Sequence, residues 1–103
     1  AVDEDGNVIV ADMCNYRIRK ISPQGLVSTL AGTGERGYRN GEGNTAQFSG
    51  PRGVAVDGGG NVIVADKNNY RIRKISPQGV VSTLAGTGDS EAIATETVAR
   101  LCG

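Results

Sequence analysis

Asn61-Val-Ile-Val-Ala-Asp66, followed after Lys67-Asn68 by Asn69-Tyr-Arg-Ile-Arg-Lys-Ile75, is the stretch that decides the fold, because the chain contains it twice. The same residues stand at Asn7–Asp12 and Asn15–Ile21, 54 positions earlier. At that offset Ala1–Gly34 aligns with Ala55–Gly88, and five of the 34 pairs differ: Glu4/Gly58, Asp5/Gly59, Met13/Lys67, Cys14/Asn68 and Leu26/Val80. A fixed period of this size marks a solenoid, a propeller or an array.

Each repeat is a series of short Val- and Ile-rich segments separated by turn chemistry, with no apolar pattern of helical period. Four strands per repeat follow: Gly53–Asp57 (in the first copy only Ala1–Asp3), Asn61–Asp66 (Asn7–Asp12), Tyr70–Ser76 (Tyr16–Ser22) and Val81–Ala85 (Val27–Ala31). Asp5-Gly6-Asn7 tolerates the positive φ of a tight hairpin. Asp12–Asn15 and Asp66–Asn69 place an Asx residue at each end of the second link. Ser22-Pro23-Gln24-Gly25 has Pro at the second turn position and Gly closing it. The second strand, Val8-Ile9-Val10-Ala11, is apolar on both faces, as suits a strand between neighbouring sheets. The third mixes Tyr16 and Ile18 on one side with Arg17 and Arg19 on the other and is expected nearer the outside. The fold class is therefore all-β, two four-stranded antiparallel meanders arranged as blades of a β-propeller.

Composition agrees and excludes much else. The 103 residues include 16 Gly, an ordinary 38% of apolar residues, and 11 Lys and Arg against 11 Asp and Glu. Such a chain is foldable and rich in turns, and no bulk field draws it to nucleic acid or an anionic membrane. No apolar run is long enough to span a bilayer, and Ala1–Gly6 is acidic rather than a basic leader, so neither a membrane partner nor a signal peptide is expected. With no His, histidine zinc sites and the usual triads are excluded. Neither an enzyme nor a cofactor is expected.

Gly53-Val-Ala-Val-Asp57, Gly60-Asn-Val-Ile-Val-Ala-Asp66 and Asn69-Tyr-Arg-Ile-Arg-Lys-Ile75 resemble the NHL repeat, a propeller-blade motif. The family commonly reads Asn-His-Arg where this chain reads Asn15-Tyr16-Arg17 and Asn69-Tyr70-Arg71. The resemblance covers residues 1–34 and 53–88 and implies a propeller, commonly six-bladed, that serves as a binding platform or scaffold. It divides the chain into a first blade with its long connection (1–52), a second blade (53–88) and a non-repeat tail (89–103). Functions in the family are diverse, so the resemblance leaves the function open.

In a four-stranded meander the link from second to third strand and the link between blades emerge on one side. Here that side carries Met13, Cys14, Lys67, Asn68 and the connection Thr33–Arg52. Four of the five differences between copies lie in turns, two of them on this side, where repeats often place their binding surface. The candidate interaction residues are Arg36, Tyr38, Arg39, Asn15, Asn69 and Lys67, facing a protein or peptide partner. Interleaved Arg and Tyr also suit single-stranded RNA, although residues 35–52 carry an excess of only one positive charge. The competing reading is a solvated loop closed by Phe48 and Pro51 packed between blades. A third reading makes the chain part of a propeller hydrolase or lyase whose site lies in other blades.

Other signals resolve to structure. Asp3-Glu4-Asp5-Gly6-Asn7 resembles the start of a calcium loop but lacks the twelfth-position Glu, since Cys14 stands there. The Arg17–Lys20 and Arg71–Lys74 runs read as solvated outer strands. Cys14 and Cys102 share no metal spacing and read as reduced thiols. Asp89–Gly103 does not repeat Glu35–Ser49, yet its back-translation in a shifted frame allows Arg-Gly-Tyr-Arg-Asn-Gly-Asp-Gly-Ser-Thr-Ala, close to Arg36–Ala46; the tail reads as an out-of-frame translation of the next inter-blade loop. Two repeats do not close a ring. The expectation is a piece of a longer propeller, or copies joined head to tail, three of them giving six blades.

Overall fold

The computed structural model describes residues 1–88, and the tail at 89–103 lies outside the described residues. Eight strands form two antiparallel sheets. The first has the order β1-β2-β3, with β1 Val8–Asp12, β2 Arg17–Ile21 and β3 Val27–Ala31. The second has the order β4-β8-β7-β6-β5, with β4 Gly41–Glu42, β5 Pro51–Val56, β6 Val62–Asp66, β7 Arg71–Ile75 and β8 Val80–Ala85. The expected meander is present as β5 to β8, each strand within two residues of its expected limits. The truncated first strand of copy one survives as a Val2–Val8 bridge, with the Ile9 amide donating to the Ala1 carbonyl.

The repeat is reproduced in its turns. Asp57 Oδ1 accepts the backbone N–H of Gly59 and of Asn61, each at 2.9 Å, while the Asn61 amide donates to both carboxylate oxygens. Asp3 does the same for Asp5 and Asn7. A carboxylate that accepts this many bonds caps the hairpin locally, without a cation. These bonds, Asn61 foremost, hold the exposed Asp57 carboxyl below the ordinary aspartate value, and those from Asn7 do likewise for Asp3. The link between second and third strands is a single 3₁₀ turn that ends on Tyr16 or Tyr70 in the left-handed region, at φ 56° and 51°.

The core lies between the two sheets. Ile9, Ile18 and Ala31 of the first sheet meet Val62, Val64, Ile75 and Val81 of the second, and Ala46 and Phe48 of the connection complete the cluster. Strand alternation explains the division, since Val62 and Val64 point one way along β6 and the residue between them, equivalent to Ile9, points the other. Phe48 and Pro51 are fully buried, so the connection is closed at its end as the structural reading of it required.

Two features depart from the sequence reading. The connection does more than link the sheets: it supplies β4, whose Gly41 and Glu42 pair with Val81 and Val80 and so cover the outer edge of the second sheet. The Arg71–Lys74 run is also not a solvated strand throughout, because Arg73 has no exposed surface at all. The added strand β4 and the loop that leads to it lie against β7 and β8, which turns a strand expected at the rim into an interior one.

Candidate functional site

The long connection is held to the second sheet by one buried ion pair. Arg73 Nη1 lies 2.8 Å from Asp66 Oδ2, both side chains having no exposed surface. The guanidinium also donates to the carbonyls of Gln47 (2.9 Å) and Arg39 (2.8 Å) and to Asn40 Oδ1 (2.8 Å), while its Nε has no partner. Asp66 accepts the Ser49 amide at 2.7 Å and the Asn69 side chain at 2.6 Å. Burial pushes the Asp66 carboxyl up from the ordinary value, against the pull of Asn69, Ser49 and Arg73. The pair thus reads backbone atoms of the loop from both ends, which is what a planar five-donor guanidinium and a carboxylate do well.

Tyr38 completes the clamp. Its ring lies under the Arg71 guanidinium, 3.8 Å from the centroid, and within 4.6 Å of that of Arg73, which on another side faces the Phe48 ring at 4.9 Å. The Tyr38 hydroxyl is 2.6 Å from Thr83 Oγ1 and also accepts from Asn40. The bond with Thr83, then Asn40 and the two guanidiniums, hold the phenol below its ordinary value. Residues 71 and 73 share one face of β7, so an Arg-x-Arg pair offers two cations to one aromatic ring.

The candidate interaction residues therefore separate into two groups. Tyr38 and Asn69 belong to the clamp, Asn69 donating as well to the Gly37 carbonyl at 2.9 Å. Asn15 donates to both oxygens of Asp12 in the first sheet. Arg36, Arg39 and Lys67 are exposed, and Arg52, at the register shift between Pro51 and Gly53 in β5, is exposed with them. The side chains of these four cations make no hydrogen bond or ion pair among the described residues. Glu42 pairs with Val80 at the far end of β8 and so leaves this surface, on which Glu35 remains. Among the described residues no three His, Cys, Asp or Glu side chains converge closely enough to hold a metal ion. A cleft of about 230 Å³ opens between the sheets near Asp3, Lys20, Val56 and Pro77, beside the hairpin turns rather than the connection.

The model for the NHL repeat matches residues 48–75, which span β5, β6, the 3₁₀ turn and β7. The chain carries NHL repeats. The two sheets are NHL blades of β-propeller type. Over 72 residues, 69% of the chain, it is 43% identical to Protein SUPPRESSOR OF QUENCHING 1, chloroplastic, of Arabidopsis thaliana, and spans 7% of that protein's length. Among solved structures it resembles a structural genomics protein of unknown function from Bacteroides thetaiotaomicron, with TM-score 0.74 and 31% identity, covering 81% of this chain and 22% of that one. It also resembles an auxiliary nutrient binding protein of the same organism (TM-score 0.67, 20% identity, 78% and 23% covered) and a streptogramin B lyase (0.59, 19%, 81% and 24%). The last two likenesses are of fold.

Proposed function

We propose that these NHL blades are a non-catalytic interaction module that binds a protein or peptide partner of acidic character through the surface carrying residues 33–52, within a ring that family resemblance puts at six blades. The observation that supports this reading is the set of unpaired cations, Arg36, Arg39, Arg52 and Lys67, on the surface that the buried clamp holds rigid. Met13 and Tyr70 add partly exposed apolar area beside them, at 44% and 38%. Cations that are left unpaired on a fixed backbone steer an acidic partner and lose little entropy on binding it.

The test is binding of an Asp- and Glu-rich peptide panel against a neutral panel of matched length, with a poly-uridine strand alongside. Binding of the acidic panel that weakens with salt and is lost in Arg36→Glu/Arg39→Glu supports the reading. Selective retention of the RNA strand would favour the nucleic-acid reading instead, and equal binding by wild type and variant would overturn both. In a hydrolase or lyase the reacting groups would come from blades outside residues 1–88, and the charge reversals would leave turnover intact.

A further inference from the structure

Blade 1 (residues 1–34) and blade 2 (residues 53–88) each raise one 3₁₀ turn toward the proposed interaction surface, at Met13–Asn15 and Lys67–Asn69. The backbone of the turn is the same in both. Asp12 and Asp66 precede it at φ/ψ of −89°/77° and −90°/78°, Tyr16 and Tyr70 close it at 56°/38° and 51°/40°, and each Tyr amide donates to the carbonyl of residue 13 or 67. The frame is held by its own bonds, Asn15 donating to both Asp12 oxygens and Asn69 to Asp66. The tip differs: it reads Met13-Cys14 in blade 1 and Lys67-Asn68 in blade 2. A turn that keeps its geometry to within a few degrees while two of its three residues change is not shaped by those two side chains.

All four tip residues are exposed, and their side chains make no hydrogen bond or ion pair among the described residues. A missing neighbour does not account for this. Blade 2 has the connection that precedes it in place, with the Asn68 backbone amide donating to the Ser49 carbonyl at 2.9 Å and the Asn68 side chain beside Gly50, and Lys67 and Asn68 stay exposed. Blade 1 has blade 2 packed on Ile9, Ile18 and Ala31 of its following face, and Met13 and Cys14 stay exposed, Met13 at 44%. Each side of the turn is thus covered in one of the two copies, and the tip projects past the cover in both.

A fixed frame that carries a changing, unbonded pair of side chains once per blade varies what the surface binds without touching the fold. We infer, resting on the interaction surface proposed above, that residues 13, 14, 67 and 68 set its specificity and that its partner is a peptide segment of two-part chemistry. An acidic residue lies over blade 2, where the Lys67 ammonium and the Asn68 amide supply charge and hydrogen-bond donors to a carboxylate. An apolar residue lies over blade 1, where the unbranched thioether of Met13 moulds to it beside the small Cys14 side chain. A uniformly acidic segment satisfies half of this surface. A nucleic-acid strand, with a charge on every nucleotide, sets a phosphate against Met13.

The experiment exchanges the tips in the full chain, Met13→Lys/Cys14→Asn in one variant and Lys67→Met/Asn68→Cys in the other, so that each new pair is one the same turn already carries. Labelled peptides with an acidic block and either Leu or Ser at increasing separation on each side of it are titrated by fluorescence anisotropy. Wild type is expected to prefer Leu over Ser by about tenfold at one separation, the size of one well-placed contact. Met13→Lys/Cys14→Asn is expected to abolish that preference while it keeps the acidic block, and Lys67→Met/Asn68→Cys to weaken every acidic peptide by about tenfold while it keeps the preference. Both variants are expected to melt with wild type; a lower melting temperature in either makes the tips part of the fold and overturns the inference. Acidic peptides that bind wild type with no Leu preference at any separation, or with one that survives Met13→Lys/Cys14→Asn, overturn it and leave the acidic-partner reading standing. Failure of every acidic peptide to bind wild type overturns that reading and the inference together.

Discussion

Replacing Arg73 by Ala, with Arg19→Ala as its counterpart in the other repeat, isolates what burial does to one residue in one local sequence. In blade 2 the change removes the countercharge of a fully buried carboxylate 2.8 Å away and takes one donor each from the acceptors on Gln47, Arg39 and Asn40. Breaking a buried pair from one side costs about 3–5 kcal/mol, chiefly because the remaining charge stays desolvated. In blade 1 the same change removes one ion pair at 3.7 Å between side chains 29% and 28% exposed, and one hydrogen bond at 3.4 Å. That is worth about 0–1 kcal/mol. At about 4–8 °C per kcal/mol for a domain of this size, Arg73→Ala lowers Tm by about 12–40 °C and Arg19→Ala by at most about 8 °C. Urea titration by circular dichroism at two wavelengths, with thermal melts, measures both. Equal losses for the two variants would refute the reasoning, because the ion pair would then act through its local sequence and not through the loop that buries it.

Phe48→Ala empties a fully buried site between the blades and is expected to cost about 3–5 kcal/mol, read as a fall in the urea midpoint at unchanged slope. Gly43→Ala places a methyl 2.8 Å from the Leu30 carbonyl and 3.0 Å from that of Gly79, where Gly43 bonds to both blades; a loss of about 1–3 kcal/mol is expected, against no loss for Gly58→Ala, which meets nothing. In Tyr38→Phe the ring stays stacked and the bond to Thr83 goes, so stability falls by about 1 kcal/mol while the ultraviolet titration loses a phenol held below the ordinary value. The Asp57 carboxyl is depressed in the folded state by Asn61, so its stabilising effect is present above the unfolded aspartate pKa of about 3.9 and is lost as pH falls through the folded value. Asn61→Ala is expected to move the Asp57 carboxyl carbon titration upward and to flatten the acid limb of the stability curve.

Strands and turns were legible because each rests on local chemistry that the repeat states twice: β-branched runs for strands, Asp-to-amide capping for the hairpins, Ser-Pro-Gln-Gly for the outer turn. The burial of Phe48 and Pro51 was legible as one of two readings. Arg73 was not, since Arg-Ile-Arg-Lys has the pattern of a wetted strand and its partners lie in a loop 26 to 34 residues earlier in the chain. A signal was present in the spacing: two Arg on one strand face, an Asp across the ladder from the first of them, and a Tyr in the preceding loop. Strand β4 left even less trace, because Gly41-Glu42 has no strand propensity and is held by its neighbours. The Arg36, Arg39 and Lys67 surface followed from topology, but its charge was understated while Glu42 was counted on it.

The β4 loop has a consequence for how the chain unfolds. The loop closes the blade that follows it, so the cooperative unit it forms runs from about Glu35 to Ala85, out of phase with the repeat that starts at Ala1 or Ala55. Nearest-neighbour coupling of this kind makes stability a sum over interfaces, and among the described residues the sheet without the loop laid across it opens first. Two stretches of nearly identical sequence are thereby expected to differ in amide protection, with β1 to β3 exchanging well ahead of β5 to β8.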